Sequence, residues 1–183
     1  ESIVSQMVTR VNVAVRVNPN VDPKTHPHIA TGLKDSKFGV PIEESPELYK
    51  RISLSKWLNP IGIACHIGSQ LTTVEPIIEA VSHVVALALN LRDMGIKIEA
   101  IDVGGGLGID YSGETPPSIG ELVDNLCKTV PDEFELVLEP GRSIVGPAGL
   151  MLTRVEYVKK TQGRNFVIVD AGMNDLLRPA LYD

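Results

Sequence analysis

Cysteine is scarce in this 183-residue chain, and long apolar runs are absent. Only Cys65 and Cys127 occur, far apart and in patterns typical of buried positions. This argues against a disulfide framework and favours a reducing compartment such as the cytoplasm. No apolar stretch approaches the roughly 20 residues of a membrane-spanning helix, and no signal peptide is recognised. We therefore expect neither a disulfide-rich secreted protein nor a membrane protein.

Basic residues are also fewer than acidic ones. Lysine and arginine number 17 against 23 acidic residues, a net charge of −6, and the basic residues form no cluster. Nucleic acids and anionic membranes attract basic patches, so we expect neither as the main partner. His26, His28 and His83 lack metal-ligand spacing with cysteines or acids, and we predict no metal site.

The chain begins at ESIVSQMV without an initiator methionine and stops at RPALYD, just after an apolar segment. We expect it to be a piece of a longer protein. Its 183 residues can bury one core, or one domain together with part of another.

Alternating strand and helix patterns predict an α/β fold with parallel strands. Strand patterns cover residues 11–17, 61–67, 96–103 and 134–140, and helical periodicity covers residues 45–55, 74–94 and 118–130. After residue 149 the pattern changes to two strand-like segments separated by TQGR, which predicts an antiparallel hairpin. We therefore predict two domains, residues 1–149 and 150–183.

Three consecutive glycines, Gly104, Gly105 and Gly106, follow the third predicted strand. The second strand leads into HIGSQ and the fourth into EPGR. In a (β/α)8 barrel the carboxyl ends of the strands carry the active site, and consecutive amides can converge on an anion. A dinucleotide fingerprint is excluded, because Ile109 stands where its third glycine is needed. The segment predicts a phosphate-bearing ligand, with tight packing or a turn as the alternative.

HIGSQ, DVGGGLG and EPGR, in this order and spacing, resemble motifs of the pyridoxal-phosphate-dependent decarboxylases with an alanine-racemase-like barrel. The stretch LRPALY at 177–182 is similar to the diaminopimelate decarboxylase branch. The resemblance implies the C-terminal half of a (β/α)8 (TIM) barrel that binds pyridoxal 5'-phosphate (PLP), followed by the first strands of a β domain. It further implies decarboxylation of meso-2,6-diaminopimelate to L-lysine and CO2. A homodimer in the cytoplasm, or in the plastid stroma of a plant, is implied for the full-length enzyme.

The resemblance also assigns roles to residues. Glu139 would contact the pyridine nitrogen and make the ring a stronger electron sink, and His66 would stack on the ring face. The cofactor-binding set comprises His66, Ser69, Gly104, Gly105, Gly106, Glu139, Pro140, Gly141 and Arg142. Arg142, Arg178 and Tyr182 would bind the carboxylate that is not removed, because a guanidinium donates two parallel hydrogen bonds to a carboxylate. Lys37 and Phe38 match the family pattern as neighbours of the site.

Simpler readings compete with these roles. His66 also fits a satisfied core histidine, Ser69 and Glu139 fit turn residues, and the two arginines fit surface ion pairs. Other possible functions are decarboxylation of ornithine or arginine, and non-catalytic PLP binding. The family attaches PLP covalently to a lysine in a YAxKAN-like context. The 183 residues contain neither that stretch nor the family's later cysteine-containing motif. We therefore expect the 183 residues alone to be inactive and to fold poorly.

Overall fold

The computed structural model describes residues 1–23, 32, 36–111 and 113–181. The chain forms two compact units, Glu1–Gly146 and Pro147–Asp183. Three residues discussed above, His26, His28 and Tyr182, lie outside the described residues.

The first unit is built on a five-stranded parallel sheet. Its strands are β1 (Val11–Asn18), β2 (Val40–Pro41), β3 (Leu58–Ala64), β4 (Ala100–Asp102) and β5 (Glu135–Val137), in the order β2-β1-β3-β4-β5. Its helices are α1 (Ser2–Gln6), α2 (Ser45–Ser53), α3 (Glu75–Asp93), α4 (Ile119–Thr129) and α5 (Arg142–Val145). The alternation of parallel strands with helices confirms the α/β fold class and is that of part of a (β/α)8 barrel.

The core lies between the sheet and α3. Val81, Val84 and Leu91 are fully buried at helical spacing, and they belong to the same apolar cluster as Ile63 of β3 and Ile101 of β4. The predicted helices α3 and α4 are confirmed within one residue at each end. Before α4, the Ser118 hydroxyl accepts a hydrogen bond from the Glu121 amide over 3.0 Å, which confirms its role as the N-cap.

The strands depart from the predicted limits. β3 begins at Leu58 and ends at Ala64, so the cysteine and histidine that follow belong to a loop. β4 has only three residues of the predicted eight. An apolar run marks what is buried, whereas a strand ends where its neighbours stop offering hydrogen-bond partners.

The prediction that both cysteines are buried is wrong for Cys127 in the described structure. Cys65 is buried, but Cys127 is exposed on α4. Helix α4 buries Leu122 and Leu126, one turn apart, and the next position lies about 100° around the helix axis. The prediction placed Cys127 inside because cysteine is an apolar residue type, but its position on α4 does not face the core.

Tyr49 of α2 stabilises an irregularity between β1 and β3. The register between these strands shifts after Val13, opposite Pro60, which has no amide to donate. The buried Tyr49 hydroxyl accepts from the Val15 amide over 3.3 Å and donates to the Gly62 carbonyl over 2.6 Å. Burial raises the pKa of Tyr49 to about 12, so the hydroxyl keeps its proton and bridges the two strands.

The second unit is a hairpin followed by a short helix. Strands β6 (Val155–Lys160) and β7 (Asn165–Val169) pair antiparallel, which confirms the predicted hairpin, and α6 spans Arg178–Leu181. The Asp170 carboxylate accepts from the Thr153 hydroxyl over 2.7 Å and from the Arg154 amide over 2.9 Å. Across the described ranges, no helix combines the length and the apolar character needed to span a membrane.

Candidate active site

Three loops meet at the carboxyl edge of the parallel sheet. We call residues 65–71, after β3, the histidine loop, and residues 104–111, after β4, the glycine loop. Residues 139–142, after β5, form the EPGR loop. The Glu139 amide donates to the Gly104 carbonyl over 2.8 Å, which ties the last two loops together. Parallel strands place their carboxyl ends at one edge, as the sequence analysis required.

The glycine loop lies tightly between its two neighbours. A Cβ at position 104 would lie 2.5 Å from the Cys65 carbonyl oxygen and 2.9 Å from His66 Nδ1. A Cβ at position 105 would overlap the carbonyl oxygen of Glu139. Glycine is therefore needed here for close packing against both adjacent loops, which is the alternative left open by the sequence.

Two of the three glycine amides donate within the protein. The Gly104 amide donates to the Asp102 carboxylate over 2.9 Å, and the Gly105 amide donates to His66 Nδ1 over 3.2 Å. Among the described residues, neither the Gly106 amide nor the Ser69 hydroxyl has a hydrogen-bond acceptor. Phosphate binding by all three glycines stays a prediction. Of the three amides, only that of Gly106 is without an acceptor among the described residues.

The imidazole of His66 is half-buried and held in a defined state. Because Nδ1 accepts the Gly105 amide, the neutral ring carries its hydrogen on Nε2. Burial lowers the pKa of His66 below its ordinary value of 6.5, and the nearby Arg16 guanidinium lowers it further, against the opposing charge of Asp102. The ring is therefore neutral at pH 7.

The site includes Arg16, which the sequence analysis missed. Its Nη2 donates to the His66 carbonyl over 3.2 Å, and its guanidinium carbon lies 5.1 Å from the centroid of the Phe38 ring. Lys37 Nζ lies 5.1 Å from the same centroid. The only sequence signal for Arg16 was its position as a cationic residue near the carboxyl end of a valine-rich strand. Arg16 therefore connects the Phe38 ring to the backbone of His66, and Lys37 lies against the same ring.

The thiol of Cys65 is buried, and its pKa responds to the charged groups of the site. Burial raises the pKa of its thiol to about 12, and the carboxylates of Asp102 and Glu139 act in the same direction, while Arg16 opposes them. The thiol is therefore protonated at neutral pH and is not a nucleophile.

The EPGR loop presents its polar groups outward. Glu139, Pro140 and Gly141 are exposed, whereas Arg142 is half-buried at the start of α5. Arg142 Nη1 donates to the Tyr111 hydroxyl over 3.1 Å, and the guanidinium carbon lies 5.7 Å from that ring's centroid. Tyr111 was not predicted, because nothing in the sequence links it to an arginine 31 positions later.

The remaining predicted residues lie elsewhere. Arg178 begins α6 in the second unit, and Tyr182 is outside the described residues. A cavity of about 320 Å³ opens beside the glycine loop, lined by apolar side chains of α3, α4 and α5. His66, Ser69 and Glu139 do not line it, so we assign the site to the loop edge. Within the described ranges, no group of three or more His, Cys, Asp or Glu could hold a metal ion.

The donor set at this edge suits PLP. An exposed carboxylate matches a protonated ring nitrogen, a neutral imidazole matches an aromatic face, and a hydroxyl and a backbone amide match a phosphate. The groups that match these three parts are Glu139, His66, Ser69 and Gly106, and the Arg142 guanidinium is left for a carboxylate.

Comparison with known proteins agrees with this chemistry. Residues 2–146 match the family described as pyridoxal-dependent decarboxylase, pyridoxal binding domain. A diaminopimelate decarboxylase from Pseudomonas aeruginosa is 46% identical over 183 residues, which is 100% of this chain and 44% of that protein. The crystal structure of diaminopimelate decarboxylase from Helicobacter pylori complexed with L-lysine has a TM-score of 0.94 at 43% identity, covering 100% of this chain and 46% of that one.

A lysine decarboxylase from Selenomonas ruminantium is less similar. Its crystal structure has a TM-score of 0.80 at 25% identity, covering 100% of this chain and 48% of that one. The chain therefore spans somewhat less than half the length of these relatives.

Proposed function

Because this chain belongs to the family of pyridoxal-dependent decarboxylases, we propose that the protein containing it converts meso-2,6-diaminopimelate to L-lysine and CO2 with PLP. The observation that carries the proposal is that His66 and Glu139, from separate loops, both lie against the glycine loop. The greater identity to diaminopimelate decarboxylases than to a lysine decarboxylase supports a substrate with two carboxylates.

The residues of the chain would divide the work of holding the coenzyme. When bound, PLP accepts the electron pair that the substrate carbon keeps as CO2 leaves. Glu139 would hold a proton on the ring nitrogen, and this positive charge favours that acceptance. His66, neutral and hydrogen-bonded to the Gly105 amide, would cover one ring face and exclude water from it. Ser69 and the Gly106 amide would bind the phosphate.

Arginines would select the substrate. Arg142, oriented by the Tyr111 hydroxyl, would donate to the carboxylate at the end of the substrate that does not react. Arg178 and Tyr182 complete this proposed set. A guanidinium distinguishes a carboxylate from the ammonium group at the end of lysine or ornithine, because it attracts the first and repels the second. This would favour diaminopimelate over simple basic amino acids.

The domain assignment and the assembly belong to the same proposal. Residues 1–149 would be part of the PLP-binding barrel, and residues 150–183 the start of a C-terminal β domain. The full-length enzyme would be a homodimer in the cytoplasm, or in the plastid stroma of a plant. These statements are supported by the family resemblance.

Glu139→Gln in the full-length protein tests the role of the carboxylate. We expect kcat to fall on the order of 10²-fold, as when another group that stabilises developing charge is removed, with PLP still bound. Glu135→Gln is the matched control, since Glu135 is exposed at the other end of the same strand. Equal activities of the two variants would contradict the role of Glu139.

A substrate panel tests the reaction itself. CO2 release from meso-diaminopimelate is expected to exceed release from ornithine, arginine and lysine by several orders of magnitude in kcat/KM. A preference for one of the basic amino acids would replace the substrate proposed here. PLP binding without release from any of them would identify a non-catalytic homologue.

A further inference from the structure

The histidine loop and the glycine loop run side by side beyond the ends of β3 and β4. Leu71 and Leu107 form an isolated parallel β-bridge. The Leu71 amide donates to the Gly106 carbonyl over 2.9 Å, and the Gly108 amide donates to the Leu71 carbonyl over 2.9 Å. Backbone hydrogen bonds therefore join the two loops past the end of the regular sheet.

The side chain of Gln70 extends this pairing by one step. Its Nε2 donates to the Ile109 carbonyl over 2.6 Å, and the Ile109 amide donates to its Oε1 over 3.2 Å. A carboxamide presents a donor and an acceptor side by side, as a peptide group does. One side chain thereby satisfies both backbone groups of Ile109, which neither leucine nor an ionised glutamate can do.

The backbone of Gln70 is held in an unfavourable conformation. Its φ angle is +58°, in the left-handed region that residues with a Cβ rarely adopt. Strain of this kind persists where the surrounding structure fixes it. Here the two bonds to Ile109 and the bridge at Leu71 fix the residue from both sides.

Two glycines allow the loops to come this close. A Cβ at position 106 would overlap the Gly68 carbonyl oxygen. A Cβ at position 108 would lie 2.8 Å from the Leu71 carbonyl oxygen and 3.3 Å from Cδ of Gln70. Any larger residue at either position would push one loop away from the other.

Ile109, which the Gln70 side chain holds, lies between the two parts of the glycine loop that the proposed function uses. The Gly106 amide, with no acceptor among the described residues, lies three residues before Ile109. Tyr111, whose hydroxyl accepts from Arg142, lies two residues after it. The Ile109 side chain also packs on the end of α5, since a Cβ at Gly146 would overlap its Cδ1.

We propose that Gln70 is a positioning residue, which holds the glycine loop in the shape that presents the Gly106 amide to the phosphate of PLP and Tyr111 to Arg142. The inference rests on the proposed function for the identity of the ligand, and on the hydrogen bonds of Gln70 for the action of the residue. In this role Gln70 acts through its two hydrogen bonds to Ile109.

The test uses the full-length protein and the variant Gln70→Leu, which keeps side-chain bulk and removes both hydrogen bonds. We expect the Ile109 amide of the coenzyme-free variant to exchange with deuterium about tenfold faster. We also expect the Kd for PLP, titrated by absorbance, to rise about tenfold, consistent with the loss of two net hydrogen bonds. The KM for diaminopimelate should rise with it, because Tyr111 and Arg142 shift. Gln6→Leu, at an exposed position of α1, is the control and should change none of these values.

Gln70→Glu serves where Gln70→Leu does not fold. It keeps an acceptor for the Ile109 amide but turns a carboxylate oxygen toward the Ile109 carbonyl. Repulsion between the two oxygens is expected to separate the loops and to produce the same three changes. Faster exchange with an unchanged Kd for PLP would overturn the inference alone, as would unchanged exchange in a folded variant. Failure of the unaltered protein to bind PLP would overturn the proposed function, and the inference with it.

Discussion

The two units of the chain bury their apolar side chains to very different extents. Among the described residues, every buried hydrophobic side chain lies in Glu1–Gly146. In Pro147–Asp183 the hairpin leaves both faces open, with Tyr157 63% and Val167 60% exposed. A two-stranded hairpin has too little apolar contact to be stable by itself. Candidate residues of the first unit are therefore positioned by a core of their own, whereas Arg178 belongs to a unit with no buried hydrophobic side chain among its described residues.

The same contrast appears between particular glycines of the two units. The glycines of the glycine loop are enclosed, and an added Cβ at Gly105 would overlap a neighbouring backbone atom. At Gly163, between the two hairpin strands, an added Cβ would meet nothing within 4 Å. Gly105 thus reports tertiary packing, whereas Gly163 reports only a local turn.

The largest expected difference is in hydrogen exchange of the 183-residue chain. We expect amides of α3 around Val84 and Leu91 to exchange at least about 10²-fold more slowly than amides of β6 and β7, because exchange follows the free energy of local opening. Mass spectrometry of peptides from each unit measures this, with the urea-unfolded chain as the reference. Equal protection in both units would break the comparison, and absence of protection in both would support the expectation that the segment folds poorly.

The next largest effect comes from paired glycine substitutions in the same chain. Gly105→Ala forces backbone atoms apart, and we expect a loss of about 1–3 kcal/mol in the free energy of unfolding. Gly163→Ala has open space and no left-handed φ, so a change within about 0.5 kcal/mol is expected. Urea unfolding followed by circular dichroism compares the two. A loss for Gly163→Ala as large as that for Gly105→Ala would contradict the contrast.

The smallest effect is the dependence of stability on pH. The folded-state pKa of His66 is lowered, so the unfolded state binds its proton first, and stability falls as the pH drops below about 6.5. Hydrogen bonds from Thr153 and the Arg154 amide lower the pKa of Asp170, so its contribution is present above 3.8 and lost as the pH falls through the lowered value.

Matched amide variants separate these two groups. His66→Asn keeps an acceptor near the position of Nδ1 but does not titrate, and it should remove the loss of stability that begins below about pH 6.5. Asp170→Asn should remove only the loss of stability that occurs below about pH 4. Urea midpoints across the pH range provide the measurement. An acid loss that both variants leave unchanged would mean that neither group governs it.

Local pattern predicted much of the first unit. The spacing of apolar residues located α3 and α4, and Ser118 was recognised as a cap from its type and position. The same reasoning placed Cys127 inside, and it overestimated the length of β4, because burial and strand pairing depend on neighbours that a local window does not contain.

The candidate site was predictable in part. The motif residues His66, Ser69, Gly104–Gly106 and Glu139 lie on adjoining loops of one sheet edge, as parallel strands require. Arg16, Gln70 and Tyr111 were not assigned to the site, since each reaches it through a side-chain contact with a residue 31 to 50 positions away.

The sequence by itself determined the alternation of strands and helices, the apolar face of each helix and the loops that carry polar residues, because these depend on spacing over a few residues. Only the tertiary structure decided which amides of the three consecutive glycines donate to a neighbouring group and which one has no acceptor among the described residues. That choice depends on distances between loops that are far apart along the chain, and the packing of the parallel sheet sets those distances.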